Sequence, residues 1–141
     1  MSRGRILALD PGRVRVGVAV SDETRTIAQP HSTLLRRGDR RLMVEIVGLV
    51  HSLEVTEIVV GLPLQMDGSS GPSAEEARAF GDAVSRATGL PVGFADERLT
   101  TKQAEKMMLE QGASRQVRRE AGDRVAAALL LQAVMAGGPL L

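Results

Sequence analysis

Ile6-Leu7-Ala8-Leu9-Asp10-Pro11-Gly12-Arg13 is an unbroken apolar run that ends in a carboxylate and a Pro-Gly turn. That is the pattern of a buried strand delivering an acid to its exposed end. Past the turn, Val14, Val16, Val18 and Val20 alternate with Arg13, Arg15, Gly17 and Ala19, the two-residue period of a second strand folding back on the first. The two segments predict a hairpin with Asp10 at its mouth.

Residues 21–24 read as another turn and residues 26–29 as a third short strand that stops before Pro30, which makes an antiparallel meander. From Asp39 the period becomes helical, with Leu42, Ile46, Leu49, Val50 and Leu53 on one stripe. The β-branched run at residues 57–61 then predicts a parallel strand reached by a crossover. Residues 65–72 form an exposed loop. Ser73 and Glu76 have the spacing of a capping box, opening a helix with Ala77, Phe80, Val84 and Ala87 inward and Gly89 as its stop. Val92-Gly93-Phe94-Ala95 is the next strand and runs straight into Asp96-Glu97-Arg98. Thr100 or Thr101 can cap a further helix carrying Ala104, Met107, Met108 and Gln111 up to Gly112, its methionines read as core filler. A last helix starts close to Asp123, packs Ala126, Ala127, Leu130, Leu131 and Val134, and ends at Gly137-Gly138-Pro139. The element order is three antiparallel strands, helix, strand, helix, strand, helix, helix. It implies an α/β fold whose mixed sheet has three antiparallel strands, then two parallel ones, flanked by helices.

A chain of 141 residues with 43% hydrophobic content suits one domain spanning residues 1–141. Cysteine is absent, which excludes disulfides and thiolate metal sites. The basic start at residues 3–5 is followed by an apolar run too short for a signal peptide or a membrane span, so a soluble, cytoplasmic protein is expected. A net charge of +1 does not by itself imply nucleic acid. Its distribution is more telling, because arginines cluster at Arg36, Arg37, Arg40 and Arg41 and again at Arg115, Arg118 and Arg119. Such clusters suit bidentate phosphate contacts as well as plain solvated faces. With Phe80 and Phe94 the only aromatic residues, the composition argues against a base-stacking platform, and any nucleic acid would be held mainly through its backbone.

Asp10 and Glu97 both fall at the C-terminal ends of predicted strands, where open sheets collect ligands. Asp123, on a helix packed against the same sheet, can complete a trio of acids with no histidine or lysine in the three motifs. All-oxygen ligation of that kind suits Mg²⁺ or Mn²⁺, and two such ions support phosphodiester cleavage. Each acid also has a structural reading: Asp10 as a turn residue, Glu97 as a partner of Arg98 or a helix cap, Asp123 as a helix-start carboxylate. Asp67 and Asp96 are spare candidates.

Leu9-Asp10-Pro11-Gly12-Arg13 with Val16-Gly17-Val18-Ala19, then Gly61-Leu62-Pro63-Leu64-Gln65-Met66-Asp67-Gly68, then Asp96-Glu97-Arg98-Leu99-Thr100-Thr101, then Asp123-Arg124-Val125-Ala126-Ala127 with Leu131-Gln132, together resemble the YqgF (RuvX) family along the whole chain. The resemblance implies a ribonuclease-H-like fold and a metal-dependent nuclease acting on the 5′ side of precursor 16S rRNA, or a Holliday junction resolvase acting on branched DNA. It also implies that Asp10, Glu97 and Asp123 are catalytic and hold the metal, Mg²⁺ or Mn²⁺. It is the resemblance, too, that prefers Glu97 over Asp96. Arg13, Arg15 and Arg98 then become candidates for holding substrate phosphates. Resolvases of the related RuvC type resemble this chain at Asp10-Pro11-Gly12 but carry a second acid one turn further along the last helix, where this chain has Ala126. That departure removes a fourth ligand and favours the YqgF reading over the RuvC one. The other readings are a non-catalytic nucleic-acid-binding module and, with length against it, an actin-like ATPase. The expected partner is nucleic acid and not a membrane, and the expected state is a monomer or homodimer.

Overall fold

The computed structural model describes residues 4–65, 67–99 and 115–141, with Leu99 and residues 115–121 described by their backbone alone. Strands β1 (Arg5–Pro11), β2 (Arg15–Ser21) and β3 (Ala28–Leu35) form the expected meander. Helix α1 (Asp39–Ser52) then carries the chain to β4 (Val55–Leu62), and α2 (Pro72–Thr88) carries it to β5 (Val92–Asp96). The spatial order is β3-β2-β1-β4-β5, with β4 parallel to β1 and β5 parallel to β4. A 3₁₀ turn (Glu97–Leu99) follows β5, and helix α3 (Arg115–Met135) closes the fold. The helix expected over residues 100–112 lies outside the described residues. Among those described, no helix is long and apolar enough to cross a membrane.

The two faces of the sheet differ in side-chain size, and that difference positions everything else. Leu7, Leu9, Val16, Val18, Val20, Ile58 and Val60 pack against Leu42, Ile46 and Val50 of α1 and Phe80 and Val84 of α2. Each such side chain, fully buried, contributes roughly 1.5–3 kcal/mol. The opposite face offers Ile6, Ala8, Ala19, Val59 and Ala95, mostly small, to Ala127, Ala128, Leu130 and Leu131 of α3. Small residues on both sides let α3 sit close to the strands. At Gly17 the approach is at its tightest, since a Cβ there would lie 2.0 Å from the carbonyl oxygen of Asp123. Glycine inside a strand commonly marks such backbone proximity.

Five local expectations are corrected. The third strand does not stop at Pro30 but runs through it. It is an edge strand, and Pro30 pairs with Ala19 at a register shift, a place where the missing N–H costs the ladder least. Val14 is not on the strand face. Gly12 N–H donates to Arg15 O at 2.8 Å and closes the turn, which leaves Val14 at its tip, 62% exposed. The capping box at Ser73 does not form, because α2 starts one residue earlier at Pro72 with Gly71 as its N-cap and no side-chain cap bond. Proline suits that first helical position because its missing N–H would have had no partner in the helix. Ala87 of the expected inner stripe is exposed, and Gly89 stops the helix as expected, in the left-handed conformation at φ 73°. Finally, Asp123 is not near a helix start, since α3 begins at Arg115. More than two turns in, it gains little from the helix dipole, which acts within the first turn.

Replacing Gly17 with alanine is expected to lower stability by about 1–3 kcal/mol through forced displacement of α3, read as a shifted urea midpoint. A midpoint equal to wild type would contradict the seating of α3 on β2.

Candidate active site

Asp10 shares its side of β1 with Ile6 and Ala8, so its carboxyl group faces α3. Across the ladder it stands opposite Gly17. On the other side, β4 runs parallel with Leu9 paired to Val60, one step before Gly61. The chain leaves β5 at Asp96, in register with Leu62, and the 3₁₀ turn brings Glu97 back over Gly61. A Cβ on Gly61 would lie 2.7 Å from Glu97 Oε2 and 3.3 Å from Asp10 Oδ1. The two carboxyl groups therefore stand together above a bare Cα, in space that any other residue would fill.

Their electrostatics follow from that confinement. Burial pushes Glu97 up to about 9 from an ordinary 4.5, helped by its hydrogen bond to Asp10, by the Asp10 charge and by Asp96. Burial also raises Asp10; the hydrogen bond from Glu97 works against this, and the charge of Asp123 adds to it. The pair thus shares one proton, held on Glu97, because two adjacent buried carboxylates cannot both ionise cheaply.

Asp123 belongs to the same neighbourhood but is engaged differently. Arg15 Nε donates to its Oδ2 at 2.8 Å. Among the described residues, no group of three acidic or histidine side chains has metal-ligating geometry. The expected trio is thus a close pair, Asp10 and Glu97, with Asp123 nearby on Arg15.

The arginines expected at phosphates are distributed unevenly. Arg98 forks onto Asp96, with Nε 2.9 Å and Nη2 2.6 Å from Oδ2, and reaches Gln65 O at 3.3 Å. It thereby ties the loop after β4 to the end of β5, and it pairs with Asp96 rather than with Glu97. The spare acids are accounted for in the same way. Asp96 is occupied by Arg98, and Asp67 accepts bonds from the Ser69 backbone and hydroxyl at 2.9 and 2.6 Å. Arg13 lines a cavity of about 160 Å³ between the hairpin turn and the start of α2, together with Gly12, Arg36, Pro63, Ser73, Glu76 and Glu97. Arg36 was not singled out from its cluster by the sequence. The fold fixes its head, with Nη1 donating to Gly12 O at 2.8 Å and the guanidinium 5.5 Å from the Phe80 ring centre. The side chains of Arg115, Arg118 and Arg119 lie outside the description.

Whether a divalent cation suits this place can be judged from the donors and the space. Paired carboxyl oxygens, a shared proton that a cation would displace, and the cradle at Gly61 all fit a hard cation. Gly61 and Gly17 stand in the motifs but are given no role by the sequence reading, whereas the structure shows that a Cβ at either would collide with the candidate site or with α3. Their signal was available, as glycines interrupting β-branched strands.

The shared proton has a measurable consequence. Glu97 binds its proton more tightly in the folded chain than at the ordinary 4.5, so between that value and about 9 the folded state carries the extra proton. Its contribution to stability is full below 4.5 and declines as pH rises toward 9. In metal-free protein the melting temperature should fall more steeply over pH 5–9 for wild type than for Glu97→Gln. Parallel profiles would contradict the shared proton.

Comparison with known proteins places this geometry. Residues 4–137 match the family profile described as "RuvX: Holliday junction resolvase". A protein of Syntrophomonas wolfei named "Putative pre-16S rRNA nuclease" is 43% identical over 136 residues, 96% of each chain. One of the same name from Anaeromyxobacter sp. strain Fw109-5 is 44% identical over 133 residues, 94% of this chain and 97% of that one. Among solved structures, Thermus thermophilus RuvC in complex with a Holliday junction substrate superimposes with TM-score 0.61 at 18% identity, covering 99% of this chain and 100% of that one. The yeast mitochondrial Holliday junction resolvase Ydc2 does so with TM-score 0.58 at 10% identity, covering 95% and 78%. At those identities the likeness establishes the fold, which is ribonuclease-H-like. With nearly its whole length matched by the profile and by relatives of this identity, the chain belongs to the RuvX family.

Proposed function

We propose that this protein is a metal-dependent nuclease that hydrolyses phosphodiesters in the 5′ region of precursor 16S rRNA, and so acts in the cytoplasm. The observation that carries this reading is the Asp10–Glu97 pair set over Gly61 at the C-terminal end of the parallel strands, in a chain whose relatives are named for that activity. Asp10, Glu97 and Asp123 would hold Mg²⁺ or Mn²⁺. When bound, the metal would supply charge for the attacking water and the leaving oxygen.

The chain's own residues have distinct tasks. Asp10 and Glu97 supply oxygens from a strand end and a short turn, and Leu130 closes the same space, its Cδ2 3.4 Å from where a Cβ on Gly61 would stand. Arg13 and Arg36, at the cavity mouth beside Glu97, suit the flanking phosphates of a strand held by its backbone. Arg98 acts on substrate indirectly, by holding the loop after β4 against the strand end. Arg15 is a further phosphate candidate once it leaves Asp123.

A second reading, cleavage of branched DNA, draws on the description of the family profile. Ala126 speaks against it as a simple copy of the RuvC arrangement. It lies buried on the sheet side of α3 at 9% exposure, so this helix offers no second acid one turn beyond Asp123.

Purified protein with Mg²⁺ or Mn²⁺ should shorten a 5′-extended 16S precursor RNA, and Asp10→Asn should slow this by about 10³-fold, the rate equivalent of several kcal/mol. A four-way DNA junction assayed in parallel decides between substrates. Equal cleavage by wild type and Asp10→Asn would overturn the assignment, and RNA binding without cleavage by either would make the chain a binding module.

A further inference from the structure

Arg15 and Asp123 lie 108 positions apart in sequence, yet Nε and Oδ2 meet at 2.8 Å. Arg15 opens β2, and Gly17 two residues later lets the backbone at Asp123 press onto the same strand. The ion pair is thus built where the α3 backbone comes close to β2. It stands beside two carboxyl groups that already share a buried site, and the negative charge of Asp123 reaches Asp10. Both partners keep about a third of their side-chain surface, 29% and 33%. The pair is half-buried rather than sealed, so solvent and ions can reach it and compete for the carboxylate.

We propose that Arg15 is a positioning residue acting as an exchangeable counter-cation: it holds the Asp123 carboxylate in the cation-free protein and surrenders it when a divalent ion joins Asp10 and Glu97. The proposal rests on the metal-site reading above. It accounts for Asp123 being held by Arg15 while Asp10 and Glu97 stand together over Gly61. The guanidinium, 2.8 Å from Asp123, neutralises a third carboxylate beside the two that stand together over Gly61. On exchange, the freed guanidinium remains at the start of β2, next to the hairpin turn, where it can meet a substrate phosphate.

Mn²⁺ affinity, measured by titration calorimetry and by the loss of the free-ion electron spin resonance signal, tests this without any turnover. Removing the competitor in Arg15→Met should tighten Mn²⁺ binding about tenfold at low ionic strength, with Arg15→Lys in between, because a point charge still competes but lacks the fork. In an Asp123→Asn background the gain from Arg15→Met should largely vanish, since the coupling runs through that carboxylate. With Mn²⁺ present, Arg15→Met should also weaken binding of the precursor RNA, and without Mn²⁺ it should not. Circular dichroism melts of the cation-free variants show that each is folded.

The inference is overturned if wild type binds Mn²⁺ and Asp10→Asn weakens it while Arg15→Met and Arg15→Lys match wild type. A gain that persists undiminished in Asp123→Asn overturns it too, by showing a general charge effect. Absence of Mn²⁺ binding to wild type would instead overturn the metal-site reading and this inference with it.

Discussion

Two carboxyl groups confined over a glycine are the constraint on which the rest of this structure turns. Asp10 and Glu97 occupy the space that a side chain at position 61 would claim, and burial makes their simultaneous ionisation costly. Such a pair is unfavourable for a fold unless something uses it. Natural chains keep features of this kind at functional sites, where a local conflict is stabilised by the surrounding structure. Here the support comes from β1 and β4 beneath, Leu130 above and the short turn after β5.

The unequal faces of the sheet serve that pair. Bulky aliphatic side chains on the α1 and α2 side make the deep core, while alanines and glycines on the other side let α3 approach until its backbone meets β2. The large-residue face secures the strands, and the small-residue face sets a helical acid beside two strand-end acids. The deep core and the candidate site are thereby divided between the two faces of one sheet. At the opposite end of the parallel strands, Arg25 Nη1 binds Glu57 Oε2 at 2.7 Å and its Nε binds Gly4 O at 3.0 Å. That end is closed by ordinary structural contacts and leaves the C-terminal edge for chemistry.

Much of this was legible along the chain, because it rests on local periodicity. The meander, the helices before β4 and β5, and the parallel strands all follow from alternation and helical stripes that survive folding unchanged. The misreadings arose where a neighbour overrode a local rule. Pro30 looked like a strand stop until the strand proved to be an edge, and Ser73 looked like a cap until Pro72 took the first helical position. Asp123 looked like a helix-start carboxylate because the apolar stripe begins there, whereas α3 begins at Arg115. In each case the decisive partner was a backbone position that composition does not report.

The sequence by itself determined the order and type of the described strands and helices, the absence of thiolate chemistry and the presence of acids at strand ends, since all of these depend on residue type and spacing. The four ordered motifs pointed in addition to a family and its acids. Only the tertiary structure decided which acids adjoin and which arginine answers which carboxylate. Asp96 went to Arg98 and Asp123 to Arg15, while Glu97 went to Asp10. The reason is physical: a carboxylate's role is set by the dielectric and the charges within a few ångströms of it, and in a sheet crossed by helices those neighbours come from segments far apart in the chain.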